Sequence, residues 1–100
     1  MIDNKIRKRL DALVHECTSL DSSFIAEGKS THFIEIRMDA TGPIRINANT
    51  EGLIHLAKVF LELAASATEG AHRHLDETGL VDLCDRELII ANKRASWEPS

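Results

Sequence analysis

The sequence predicts an α+β domain, and three observations predict it. Two segments space their apolar residues with the helical period, two segments between them alternate with the strand period, and stretches bearing Gly and Pro punctuate the chain. The expected architecture is an N-terminal helix, a three-stranded antiparallel meander, a central core helix and two more strands. These would form one mainly antiparallel sheet with helices packed on one face.

The first element is helical because Ile2, Ile6, Leu10, Leu13, Val14 and Cys17 fall on one arc of a helical wheel. Asp3 is placed to cap it. Lys5, Arg7, Lys8 and Arg9 lie off the arc and read as a solvated face. No aromatic residue is interleaved among them, so they do not read as a nucleic-acid arm. The pattern breaks at residues 20–23. A short strand is expected over 24–27, with Gly28-Lys29-Ser30 as a turn. Residues 31–38 alternate, with His32, Ile34, Ile36 and Met38 on one face and Thr31, Glu35 and Arg37 opposite. Gly42 and Pro43 close a turn, and Ile44, Ile46 and Ala48 then alternate with Arg45 and Asn47.

The second helix is expected from an Asn49 cap to Gly70, which sits where a left-handed C-terminal residue belongs. Its apolar residues, from Leu53 through Phe60 to Ala65, cover more than half the wheel, so it should be buried on nearly all sides. Glu51, His55, Lys58, Glu62 and Ser66 form the remaining polar stripe, which would face water or a partner. A strand follows over 71–76. Glu77-Thr78-Gly79 reads as a turn, or as the start of a loop running to Asp85. Leu88, Ile89, Ile90 and Ala91 are apolar on both faces, as an inner strand would be. Residues 95–100 read as a frayed tail, leaving a domain of 1–94, with Trp97 the tail residue suited to docking.

One hundred residues suffice for one core and leave no room for a second. The net charge of −4 lies wholly in the second half, where nine acidic residues face five basic ones; the first half carries seven of each. Such a chain repels nucleic acid and anionic membranes and suits a basic protein partner. The basic residues after Met1 interrupt any export signal, and no segment approaches a membrane span. A cytoplasmic location is therefore expected, with Cys17 and Cys84 as reduced thiols. A homodimer would protect the sheet edges that one covering helix leaves open.

One cluster stands out chemically. His72, His74 and Asp76 occupy alternate positions, so in a strand they project from one face, with imidazoles spaced to converge on a metal. Zinc would need further ligands, and His32, His55 and Cys84 are available in number, though nothing in the sequence places them nearby. The bland reading has Ala71 and Leu75 facing the core while His72, His74 and Asp76 face solvent or a partner. A phosphate-binding Gly-rich loop and a nucleophile elbow are both missing from the sequence, so no catalytic residue and no cofactor are assigned.

The blocks Glu51-Gly52-Leu53-Ile54-His55-Leu56-Ala57 with Leu61-Glu62-Leu63-Ala64, then Gly70-Ala71-His72-Arg73-His74-Leu75-Asp76, then Glu87-Leu88-Ile89-Ile90 resemble a known family. It is the family numbered thirty-two among the immunity proteins of bacterial polymorphic toxin systems, and the likeness spans roughly residues 47–92. The resemblance implies an α+β fold and a non-enzymatic role, neutralising a cognate toxin by direct binding. On that reading Glu51, His55, Glu62, His72, His74 and Asp76 are the partner-binding residues. The alternative is a metal-binding protein or small metal-dependent hydrolase built on His72, His74 and Asp76.

Overall fold

A computed structural model describes residues 3–66, 70–76 and 81–93. The expected turn at 77–79 and the tail with Trp97 lie outside the described residues. The fold is α+β. Helix α1 (Asn4–Ser22) begins at Asp3, whose carboxylate accepts from the Ile6 N–H at 2.9 Å. The hairpin β1 (Ile25–Ala26) and β2 (Lys29–Ser30) turns through Glu27 and Gly28, with φ of 53° and 77°. Two successive positive φ values match the twist of paired strands, which is why Gly28 serves there. Lys29 and Ser30 therefore belong to the returning strand, not to the turn.

Strands β3 (Ile34–Met38) and β4 (Ile44–Ala48) pair antiparallel, with Ile36 opposite Ile46. Helix α2 (Thr50–Ala65) follows, capped by Asn49 as expected. It ends at Ala65, before Gly70, whose left-handed φ of 79° serves the entry to the next strand instead. The Gly70 N–H donates to the Asn92 carbonyl, extending the ladder between β5 (His72–Leu75) and β7 (Leu88–Ala91). The short β6 (Leu83–Cys84) lies parallel to β3.

The strands thus divide into a hairpin, a mixed sheet ordered β4-β3-β6 and an antiparallel pair β5-β7, in place of one continuous sheet. Segment 82–85 accounts for part of this. The Asp82 and Asp85 N–H groups donate to the Ile34 and Ile36 carbonyls at 2.8 and 3.0 Å. Their carboxylates accept from the Ile34 and Met38 N–H groups at 2.8 and 2.9 Å. Two aspartates therefore stitch a two-residue strand onto the edge of β3 opposite β4.

One core joins the two larger sheets. Ile34, Ile36 and Leu75 are fully buried, and Leu56 and Val81 pack with them beside Ala48, Cys84, Leu88 and Ile90. Strand β7 is apolar on both faces but covered on one: Ile89 is 56% exposed, so the inner-strand expectation is corrected to a strand with an open outer face.

Helix α2 also departs from expectation. Its buried residues are Gly52, Leu56, Val59 and Leu63, while Leu53, Ala57, Phe60 and Ala64 form an exposed apolar stripe, Leu53 at 55%. Helix α1 packs against α2 and covers the polar stripe through His55, Lys58 and Glu62. Arg7, expected to be solvated, is half-buried, and its guanidinium donates to the Ala65 carbonyl at 2.6 Å. A cation at the negative end of α2 is favourable, and the Asn92 amide satisfies the Leu63 carbonyl beside it.

Candidate functional site

The two helices and the chain entering β3 meet at one carboxylate. Asp21 sits in the last turn of α1, on the same arc as Leu10, Val14 and Cys17. A negative charge is unfavourable at a helix C-terminus, and burial to 6% exposure adds to the cost. Three neighbours offset it. The His32 Nε2 lies 2.7 Å from Oδ1, the His55 Nδ1 2.8 Å from Oδ2, and the Lys58 Nζ 3.5 Å from Oδ2. Burial pushes the Asp21 carboxyl up, but the hydrogen bonds from His55 and His32, with their charge, pull it further down. The result lies below the usual carboxylate range. With Asp21 ionised, both facing imidazole nitrogens are donors.

The His32 imidazole is held from behind. His32 lies in the extended segment before β3, where the Thr31 N–H and hydroxyl both donate to the Phe24 carbonyl. The Asn49 side chain donates to the Thr31 carbonyl and accepts from the Phe33 N–H, both at 2.9 Å. The cap of α2 therefore also fixes the path of His32. Its Nδ1 meets the Ser30 hydroxyl. The His32 and His55 rings lie 4.4 Å apart, tilted by 39°. A cleft of about 430 Å³ opens on the group, lined by Asp21, Ser22, Ile25, Ser30, His32, His55 and Asp82.

Helix and strand periodicity do not bring these residues together. His32 and His55 are distant in sequence, and Asp21 was not singled out. Its signal was available: an acidic residue continuing the 10, 14, 17 spacing of an apolar arc marks a charge turned inward.

The histidines singled out from the sequence lie elsewhere. His72 and His74 are exposed on the outer face of β5, their rings 5.0 Å apart, while Leu75 points into the core. The His72 Nδ1 donates to the Gly70 carbonyl at 3.1 Å, and the His74 Nδ1 lies 3.1 Å from Glu87 Oε1. Asp76 follows the end of the strand and is half-buried. Among the described residues, the three-residue group whose ligand atoms gather within 4.8 Å is Asp21, His32 and His55, not the β5 set. Glu51 and Glu62 are half-buried on α2, and the His55 ring faces Asp21.

Cys17 and Cys84 are not joined in a disulfide. Burial, then the nearby Asp21 carboxylate, raise the Cys17 thiol above its ordinary value, so it is not an activated nucleophile. Among the described residues, no helix is long and apolar enough to cross a membrane. Comparison with protein families, with curated proteins and with solved structures returns no match for the chain.

Proposed function

We propose that this chain is a non-enzymatic binding protein of the immunity type, which neutralises a cognate protein toxin in the cytoplasm by occupying its surface. The observation that carries the reading is the outer face of β5–β7. His72 and His74 stand there opposite Ala91 and Ile89, all four exposed on a face that no other described element covers. Imidazoles beside an uncovered isoleucine make an amphipathic patch of the kind interface centres use. Ala91 also lines a shallow cleft of about 460 Å³ with Phe60, Leu63, Ala64, Ile90 and Asn92. The patch therefore continues onto the exposed apolar stripe of α2.

Two further features support it. Among the described strands, β5 and β7 pair only with each other, so each offers a free edge for an added strand. The acidic excess of the second half favours approach to a basic partner. His72 and His74 are the contact residues in this reading, with Asp76 beside them. His55 is excluded because its ring is committed to Asp21.

The test is co-expression with the adjacent upstream reading frame in a permissive host. The reading expects the neighbour to kill alone and this chain to restore growth. A His72→Ala/His74→Ala/Ile89→Asp variant should stay folded and fail to rescue. A harmless neighbour, or killing that this chain does not relieve, overturns it.

A further inference from the structure

We propose that Asp21, His32 and His55 form a zinc site with an open fourth position, fastening the end of α1, the entry to β3 and the second turn of α2 together. Two imidazoles and one carboxylate are the donor types zinc takes when one position is left to water or a ligand. One atom from each residue already lies within 4.8 Å of the others. Ligands about 2.1 Å from zinc stand roughly 3.4 Å apart in a tetrahedron. The present contacts of 2.7 and 2.8 Å therefore need to open by about 0.6–0.7 Å, within reach of small side-chain rotations.

The surroundings suit the ion as well as the ligands. Metal-bound histidine uses its second nitrogen to donate to an outer partner that fixes the tautomer. For His32 that partner is in place, since Nδ1 meets the Ser30 hydroxyl while Nε2 faces Asp21. Binding then requires the His32 proton to move from Nε2 to Nδ1 and the His55 proton to leave Nδ1 for Nε2, any second imidazole proton passing to water, so that two neutral imidazoles and one carboxylate face the ion. The cleft lined by Ser22, Ile25 and Asp82 admits the ion and leaves room for a water. The Lys58 ammonium, 3.5 Å from Asp21, is the competing cation. Its side chain is partly exposed and leaves the carboxylate when zinc arrives. Three ligands from three separate segments stabilise the folded chain through binding to it alone.

The experiment is zinc titration of the untagged, chelator-treated chain by calorimetry, with cobalt as a visible-absorption probe. The expected result is one zinc per chain and a tetrahedral cobalt spectrum. His32→Gln and His55→Gln should each abolish both, Ser30→Ala should weaken binding about 10–100-fold, and Lys58→Met should tighten it. The His72→Ala/His74→Ala variant should bind as the parent does. Circular dichroism of each variant identifies any that fail to fold, and the ligand pair provides a second chance. A folded parent that takes up no stoichiometric zinc overturns the site. So does uptake that survives in folded His32→Gln and His55→Gln but is lost with His72 and His74.

Discussion

The Asp21 carboxylate and the His55 imidazole meet at 2.8 Å across the α1–α2 interface, and this contact turns the polar stripe of α2 inward. Asp21 draws His32 and Lys58 to the same point, so one side chain organises three segments. In zinc-free buffer, Asp21→Asn replaces an acceptor facing two N–H donors with an amide that satisfies at most one of them. Hydrogen bonds to charged groups contribute roughly 1.5–3 kcal/mol each, so a loss of about 2 kcal/mol is expected. Urea midpoints measure it. In a double-mutant cycle with His55→Gln, the two losses should sum to more than that of the pair of substitutions together.

This arrangement marks the boundary of what periodicity reveals. The order of helices and longer strands follows from spacing: Ile34 and Ile36 alternate into the core, and Asn49 caps α2. The faces of α2 do not follow. Hydrophobicity alone buries Leu53 and Phe60 and exposes His55 and Lys58, yet packing against α1 does the reverse. The reason is that Asp21 supplies the partner that lets His55 and Lys58 face inward, a pairing of residues 34 positions apart. Strand β6 was equally hidden, because two residues carry no period and its pairing rests on aspartate side chains.

The inverted helix predicts its own mutational contrast. Leu56→Ala truncates a buried side chain of the core cluster and should cost roughly 2–5 kcal/mol. Leu53→Gln, three residues earlier on the same helix, alters a side chain that is mostly in water and should stay within about 0.5 kcal/mol of the parent. Thermal melts of both variants decide it. Equal, large losses would mean that Leu53 is buried in the folded chain.

Gly52 offers a sharper case, because propensity and packing have opposite signs there. Alanine is favoured over glycine inside a helix by about 1 kcal/mol. A Cβ at Gly52, however, would stand 2.3 Å from the Phe33 carbonyl oxygen and 2.9 Å from Ile34 Cγ1. The carbonyl belongs to backbone that also accepts from the Asn49 N–H, so it cannot retreat without loosening the cap. Overpacking of this kind costs roughly 1–3 kcal/mol, and Gly52→Ala should destabilise despite its propensity. A raised midpoint in urea would show that α2 does not approach β3 so closely.

Asp85 predicts how stability responds to acid. Its carboxylate accepts from the Met38 N–H at 2.9 Å and from Arg37 at 3.2 Å. The backbone hydrogen bond from Met38 outweighs the opposing effect of burial and, joined by the lesser Arg37 contacts, holds the carboxyl below its ordinary value of 3.8. A group whose folded value is depressed binds its proton more readily in the unfolded chain. Its contribution is therefore complete at neutral pH, begins to fall as pH approaches 3.8 and is lost as pH drops through the folded value. Asp85→Asn should lower stability at pH 7 and make the acid limb of the stability curve shallower than the parent's. Urea unfolding at a series of pH values measures both. Parallel acid limbs would mean that Asp85 carries no linkage and that β6 is held to β3 by its backbone alone.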